Sequence, residues 1–296
     1  MEFVFSAPLD FPRTLKYIGR YETAQRHAVA DGKYYQVLSD GRGYFLVEVS
    51  QSAPRTLSAR MVRGRNSQHR EQLIARFMQR TFGPDDELKR FYRFAKADPV
   101  LAKIVKKYRG LRLVGVVNLW ECLAWSIIGQ QVSVQSAFAT RSRLVREAGA
   151  LMTYQGIEFE GFPPPSVLLQ FSEQRLRACG CSRQKADYLL ALAHTIHSGE
   201  LIEDQVLSLP VAEARQRLLS LRGIGPWSVE YCMMRVHGDA DACPLEDIGL
   251  RNALTNVYGL ERQATIRETE TITNAWKPFR SYGTFYLWQT LLENRK

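Results

Sequence analysis

The sequence predicts an α+β fold in which an N-terminal antiparallel sheet domain packs on a larger all-helical body. Three observations support this prediction. Aromatic and β-branched runs fill residues 3–62, apolar residues recur at helical spacing from Gln68, and from about Leu119 similar patterns are separated by short glycine and proline breaks. We expect one domain at residues 1–117, including flanking helices, and a second at residues 118–296.

The N-terminal domain contains a predicted hairpin. Residues 34–38 (YYQVL) and 44–49 (YFLVEV) flank the turn-forming sequence Ser39-Asp40-Gly41, and an Asp-Gly turn between such runs is typical of a β-hairpin. After Gln68, apolar residues three and four apart indicate a helix: Leu73, Ile74, Phe77 and Met78. The chain therefore changes from sheet to helix near residue 68.

The body is predicted to consist of helices joined by short breaks. One break, at residues 156–165, ends in three consecutive prolines. Because prolines cannot continue a helix, we expect a hinge or junction there, with two helical subdomains flanking a cleft.

The most informative motif lies at about residues 214–236. A helix is interrupted by Gly223-Ile224-Gly225 and restarts at Pro226, the residue best suited to the first helical position. This pattern indicates a helix-hairpin-helix. Its uncovered backbone N–H groups at a positive helix N-terminus could bind a phosphate. The alternative is a tight helix–helix turn that uses glycine only for its conformation.

Asp247 is a candidate catalytic carboxylate. It follows Tyr231 by sixteen residues and directly precedes an apolar run. Taken alone, such an aspartate is best explained as a helix N-cap. Its combination with a phosphate-binding hairpin, and with Trp227, Tyr231 and Trp288 as aromatic candidates, favours a catalytic role in which it stays ionised near the helix N-terminus.

Composition and charge narrow the function classes. The chain is 45% hydrophobic and 24% charged, which excludes general disorder. It lacks an apolar run of spanning length and a basic leader, and its five cysteines are scattered, so we expect no membrane association and a cytoplasmic protein, nucleoid-associated if bacterial. Residues 1–117 carry 22 Lys/Arg and 11 Asp/Glu, which favours a polyanionic partner, although a solvated basic face is the commoner explanation.

Three segments resemble the helix-hairpin-helix DNA glycosylases, and within them the alkylpurine branch of the 3-methyladenine DNA glycosylase II type. These are residues 127–133 (IIGQQVS), the hairpin through Asp247, and residues 276–282 with Trp288 following. The resemblance implies duplex DNA with damaged bases as the partner. It also implies a role for each candidate residue: Asp247 as the catalytic aspartate, Gly223 and Gly225 with Ile224 between them on a backbone phosphate, Trp227, Tyr231 and Trp288 around the base, and Gln131, next to Gln130, at the wedge position.

Several departures from the family pattern bear on the chemistry. Bifunctional members carry a lysine where this chain has Trp227, so no associated lyase activity is expected. No cysteine follows Cys243, so we expect no iron-sulfur cluster. His194 and His197 lack a third ligand at metal spacing, so we assign them to structure. The resemblance implies that the hairpin backbone binds its phosphate, often through a monovalent cation. Gln131 replaces an apolar wedge.

The expected function is therefore a monofunctional DNA glycosylase that acts as a monomer in base excision repair. It flips out alkylated purines, of the 3-methyladenine and 7-methylguanine type, and excises them by hydrolysis. Two alternatives remain open. One is a non-catalytic helix-hairpin-helix module that binds duplex DNA, and the other is a glycosylase of the same fold for oxidised or deaminated bases.

Overall fold

A computed structural model describes residues 1–20 and 28–293. Five antiparallel strands form one sheet in the order β1-β5-β4-β3-β2. The strands are β1 Glu2–Val4, β2 Val29–Ala30, β3 Lys33–Ser39, β4 Tyr44–Ala53 and β5 Thr56–Arg63. The Asp40 carboxylate accepts from the N–H groups of Arg42 and Gly43, which fixes the turn between β3 and β4. The predicted hairpin is confirmed.

Helices make up most of the rest of the chain. The first lies within residues 3–62, where the sequence pattern predicted strands, and the others begin at or after Gln68, where the apolar periodicity begins. The first four are α1 Phe11–Ile18, α2 Gln68–Phe82, α3 Asp85–Phe94 and α4 Pro99–Lys107. The body contains α5 Leu119–Ile128, α6 Val134–Glu147, α7 Pro165–Leu168, α8 Glu173–Ala178, α9 Arg183–His197, α10 Glu203–Ser208, α11 Val211–Leu219, α12 Pro226–Cys232, α13 Ile248–Tyr258, α14 Ile266–Asn274 and α15 Arg280–Glu293. A π-helical turn, Met233–His237, extends α12. The α+β fold is confirmed.

The expectation of an all-helical body is wrong at residues 151–160. Strands β6 Leu151–Tyr154 and β7 Ile157–Glu160 form a hairpin there. Gln155 and Gly156 both have positive φ angles, as a tight two-residue hairpin turn requires. Phe159 of this hairpin packs on Tyr35 of the N-terminal sheet, with ring centroids 4.7 Å apart. The segment expected as a hinge thus begins as a strand that contacts the sheet.

Core packing crosses residue 117, the boundary expected from the sequence. One core joins α3 and α4 to α13 and α15. Within it, the Tyr92 and Tyr286 hydroxyls are 2.7 Å apart. A second core is built from the helices α5 to α12, and Trp288 packs against both cores. The region around Trp288 therefore lies where the two helical cores meet, and the two-domain partition stays a prediction.

Candidate active site

The two glycines of the hairpin differ in what the structure requires of them. Gly223 has a φ of +83°, and a Cβ atom there would overlap the Tyr188 ring. Gly225 has a φ of −104°, and nothing lies within 4 Å of the position a Cβ would take. Gly223 is therefore needed for the fold of the turn. Gly225 leaves open space at the N-terminus of α12, and Pro226 occupies the first helical turn as predicted.

The two glutamines after α5 also have different surroundings. The Gln130 side-chain amide donates to the Gly223 carbonyl oxygen at 2.7 Å, so it ties the end of α5 to the hairpin. Gln131 is exposed and has a φ of +55°. Of this pair, Gln131 is the residue whose side chain is free to enter DNA, and its wedge role stays a prediction.

Asp247 is both the N-cap of α13 and the centre of the predicted site. Its Oδ1 atom accepts from the Leu250 backbone N–H at 2.6 Å and from the Trp288 indole at 2.9 Å. Its Oδ2 atom accepts from the Trp227 indole at 3.1 Å. The cap explanation and the site explanation are thus compatible, because the same carboxylate serves both.

The electrostatics of Asp247 set it apart from a paired surface carboxylate. Burial raises the pKa of Asp247 above its usual value, while the N–H groups of Leu250, Trp227, Trp288 and Gly249 act in the opposite direction. Across residues 1–20 and 28–293, no Lys, Arg or His nitrogen lies within 4 Å of this carboxylate. The negative charge of the ionised form is therefore held by neutral donors and is not cancelled by a cation.

The three predicted aromatic residues lie together. The Trp227 and Tyr231 rings are stacked with centroids 5.2 Å apart and an interplanar angle of 12°. The Trp288 ring lies 6.3 Å from Tyr231. Trp227 and Trp288 are partly exposed, whereas Tyr231 is buried. The structure thus brings the carboxylate, the aromatic residues and the hairpin into one site.

The structure adds two residues that the sequence analysis missed. Tyr17 from α1 and Arg235 from the π-helical turn are both buried, and the Arg235 Nη1 atom donates to the Tyr17 hydroxyl at 3.0 Å. Together with Tyr231 they line a cleft of about 140 Å³ that the N-terminal sheet and helices α5 and α6 also border. A signal for Arg235 was present, since it is a charged residue within an otherwise apolar run, four residues after Tyr231.

An ion-pair network holds the segment that leads to Asp247. The Arg215 guanidinium bonds Glu230 and Asp239, each at 2.6 Å, and Glu230 also accepts from the Cys243 backbone N–H at 2.8 Å. Arg280 pairs with Asp241 at 2.8 Å. These contacts fix residues 239–243 on the side of α12 that lies next to the aromatic residues.

Metal chemistry by side chains has no candidate in the part of the chain that the structure describes, where no three His, Cys, Asp or Glu side chains cluster at ligand distance. A monovalent cation at the hairpin would use backbone carbonyls. The Leu221 oxygen accepts from the Ile224 N–H and the Gly223 oxygen from Gln130, and a carbonyl oxygen has a second lone pair for an ion. A monovalent cation at this turn stays a prediction.

Comparisons with known proteins place the chain in a family. The sequence model described as "HhH-GPD superfamily base excision DNA repair protein" matches residues 124–279. The model of the "8-oxoguanine DNA glycosylase, N-terminal domain" matches residues 9–123. Each match covers one of the two regions that the sequence analysis separated.

Individual relatives carry related names. A DNA-3-methyladenine glycosylase of Bacillus subtilis is 28% identical over 95% of this chain and 94% of its own length. DNA-3-methyladenine glycosylase 2 of Escherichia coli is 28% identical over 61% of each chain. The solved 3-methyladenine DNA-glycosylase of Archaeoglobus fulgidus has the same fold, with a TM-score of 0.83, 23% identity and 97% of each chain covered. The HhH-GPD model matches more than half of the present chain, so this chain belongs to the HhH-GPD superfamily of base excision DNA repair proteins.

Proposed function

We propose that this protein is a monofunctional DNA glycosylase that hydrolyses the N-glycosidic bond of alkylated purines in duplex DNA. The observation that carries the proposal is the Asp247 carboxylate, which is held by two indole N–H groups and one backbone N–H. No cation among the residues that the structure describes lies within 4 Å of it. The carboxylate lies beside stacked aromatic rings and next to the hairpin. Residues 1–20 and 28–293 contain no helix that is long and apolar enough to cross a bilayer.

The first step is extrusion of the damaged nucleotide. A base inside the stack is out of reach, and removing it costs a few kcal/mol, least for a damaged or mispaired base. In this proposal the backbone N–H groups at Gly223 and Gly225 hold a phosphate of the damaged strand. The exposed Gln131 side chain fills the vacated space and can hydrogen-bond the orphaned partner base.

Bond cleavage is then favoured by charge. Positive charge develops on the sugar as the base leaves, and an ionised carboxylate at about 4 Å in an effective dielectric near 20 contributes about 4 kcal/mol of attraction. This is a useful part of the roughly 8 kcal/mol or more that enzymes supply. Asp247 can also orient the attacking water.

The aromatic residues favour electron-poor bases. Alkylation leaves a purine positively charged, and contact with an indole or phenol ring contributes roughly 0.5 to 2 kcal/mol by a cation–π interaction. Trp227 and Trp288 are partly exposed and close to Asp247, so they can contact a base whose sugar faces the carboxylate. Trp227 also stands where a Schiff-base lysine would be needed, which supports hydrolysis without lyase activity.

A second candidate is excision of oxidised purines. The match of residues 9–123 to the 8-oxoguanine DNA glycosylase N-terminal domain favours it. Solved structures titled 8-oxoguanine glycosylase/lyase share the fold, one from Clostridium acetobutylicum at a TM-score of 0.70 and 18% identity. The position of Trp227 argues against a lyase of that kind in this chain.

The test is release of free bases from duplex DNA. Wild-type protein should release 3-methyladenine or 7-methylguanine from methylated DNA without cutting the strand. Asp247→Asn should slow release by about 1,000-fold, as expected for the loss of about 4 kcal/mol, while duplex binding persists. Glu246→Gln is the matched control, because Glu246 is the adjacent carboxylate and is exposed.

Other outcomes would contradict the proposal. Salt-sensitive DNA binding with no base release from any lesion would identify a binding module. Release of 8-oxoguanine but not of methylated purines would favour the second candidate. A protein–DNA adduct trapped by borohydride would show that a Schiff base forms and that the protein is not monofunctional.

A further inference from the structure

Arg235 is a buried cation that has no carboxylate partner in the part of the chain that the structure describes. Its side chain lines the cleft beside Tyr231 and is 5% exposed. Within the described residues, no Asp or Glu oxygen lies within 4 Å of its guanidinium. Three aromatic rings surround the cation instead, with centroids 5.8 Å away for Tyr17, 5.3 Å for Tyr231 and 5.6 Å for Phe285. Cation–π contacts thus stabilise the charge and leave its hydrogen-bonding groups available.

Most N–H groups of the Arg235 guanidinium donate to no residue that the structure describes. A guanidinium carries five N–H donors, and this one donates through Nη1 to the Tyr17 hydroxyl at 3.0 Å. Its Nε atom is buried and has no hydrogen-bond partner among residues 1–20 and 28–293. Unsatisfied buried donors are costly, so each requires an explanation. The Nη2 atom also makes no hydrogen bond to these residues and, unlike Nε, is not fully enclosed, so an acceptor that a ligand brings into the cleft can bind there.

The neighbouring Tyr17 oxygen is suited to accept. Tyr17 is 2% exposed, and burial acts to raise the pKa of its hydroxyl, but the Arg20 and Arg235 cations outweigh burial and lower the pKa of Tyr17 below its usual value. Both cations favour electron density on this oxygen. The cleft wall therefore presents a guanidinium donor and a phenolic acceptor side by side.

The cleft is connected to the catalytic carboxylate. Tyr231 lines it and stacks on Trp227, whose indole donates to Asp247. Phe285 lies between Tyr17, at 4.6 Å between centroids, and Trp288, at 6.5 Å. A base that enters the cleft past these rings would keep its sugar near Asp247.

We propose that Tyr17 and Arg235 select an extruded base that has a lactam edge, which is a carbonyl oxygen next to a ring N–H. Arg235 donates to the carbonyl and Tyr17 accepts from the ring N–H. Guanine and hypoxanthine skeletons carry this edge, whereas adenine presents an amino donor and a ring-nitrogen acceptor, the reverse pattern. Arg235 can only donate, so it faces an amino donor when the base is adenine, and the site disfavours that base even though the Tyr17 hydroxyl can also donate.

The inference rests on the proposed glycosylase function and is tested within one substrate. Duplex DNA methylated with a labelled methyl donor contains 3-methylguanine and 3-methyladenine, which carry the methyl group at the same ring position. The measured quantity is the ratio of the first-order rate constants for release of 3-methylguanine and of 3-methyladenine under single-turnover conditions. This ratio does not depend on the fraction of folded protein.

Wild-type protein should favour 3-methylguanine over 3-methyladenine. Arg235→Met should lower the ratio by about tenfold or more, since a hydrogen bond from a charged donor is lost. Met is used because apolar replacement of a buried charge is generally tolerated. Tyr17→Phe should lower the ratio by a smaller factor, and Arg262→Met, which removes an exposed guanidinium paired with Glu268, should leave it unchanged.

Each remaining outcome decides between the two proposals. If the wild type favours 3-methyladenine, or if Arg235→Met and Tyr17→Phe leave the ratio unchanged, the lactam inference is overturned and the glycosylase proposal stands. If the wild type releases neither base, the glycosylase proposal fails first. If Arg235→Met does not fold, Tyr17→Phe and competition by free hypoxanthine against free adenine give the same comparison with intact Arg235.

Discussion

The carboxylates on two neighbouring sides of helix α12 have different kinds of hydrogen-bond partner. On one side, Trp227 and Tyr231 lie beside Asp247, whose oxygens, among the described residues, accept from neutral N–H groups alone. On the other side, Glu230 accepts from the Arg215 guanidinium. We call the first the aromatic side and the second the ionic side.

The difference shows how one helix can hold both a reactive and a structural charge. A guanidinium cancels the charge of its carboxylate partner, so the ionic side stabilises residues 239–243 and leaves no field for a substrate. Neutral donors orient a carboxylate and leave its net charge, which can then act on a cationic sugar. Burial is the cost, and it appears as the raised pKa of Asp247.

The first prediction concerns a variant that disrupts the ionic side and lowers the stability of the protein. Glu230→Gln removes the charge that Arg215 matches and places an amide N–H against a donor from Arg215 or Cys243. We expect a loss of about 2 kcal/mol in the free energy of unfolding, below the values for fully buried pairs because Arg215 keeps Asp239. Thermal unfolding measures this loss, and base release per folded molecule should stay within about threefold. A catalytic loss without destabilisation would contradict the division between the two sides.

The next prediction concerns the two glycines before α12. We expect substitution of one to affect stability and substitution of the other to affect DNA binding. Gly223→Ala should destabilise the protein by about 2 kcal/mol, because its positive φ and the Tyr188 ring oppose a Cβ atom. Gly225→Ala should leave the melting temperature unchanged and weaken duplex binding by about tenfold, if a phosphate packs on this backbone. Titration of labelled DNA checks the second value. Equal DNA affinity for Gly225→Ala and wild type would show that no DNA phosphate packs on the Gly225 backbone.

A third prediction tests the aromatic side by the pH dependence of base release. Since only ionised Asp247 can stabilise a cationic sugar, base release should fall as the pH drops through its raised pKa, which lies above the ordinary value of about 3.9. Trp288→Phe removes one donor that lowers this pKa, so the fall should occur about one pH unit higher. Single-turnover rates across this range test the shift. Trp120→Phe is the control, because its indole donates to the Pro163 carbonyl instead.

The smallest expected effects concern the two glutamines, one of which we expect to act in base release and the other in stability. Gln131→Ala should slow base release several-fold for a lesion with a pairing partner and leave an unpaired lesion unaffected, because gap filling matters only in the first case. Gln130→Ala should instead cost about 1 kcal/mol of stability through loss of its bond to Gly223. If both variants slow release to the same extent, the wedge role belongs to neither residue in particular.

Much of the fold could be read from local patterns. The Asp40-Gly41 turn, the helix that begins at Gln68 and the restart at Pro226 all lie where the sequence predicts them. These features depend on the conformational preferences of a few adjacent residues, which a sequence displays directly. The hairpin at residues 151–160 was missed because its stability comes from Phe159 packing on Tyr35, a contact between distant parts of the chain.

The site divides in the same way. By itself, the sequence determined the helix-hairpin-helix, and helix spacing placed Trp227 and Tyr231 on one side of α12. Asp247 and Trp288 were predicted from the resemblance to the family, and their roles stay predictions. Tertiary structure alone decided that Trp227 and Trp288 donate to the same carboxylate and that Tyr17 meets Arg235 across 218 residues. The physical reason is that charge, burial and hydrogen-bond partners are properties of packed neighbours, and packing joins residues whose separation along the chain carries no local signal.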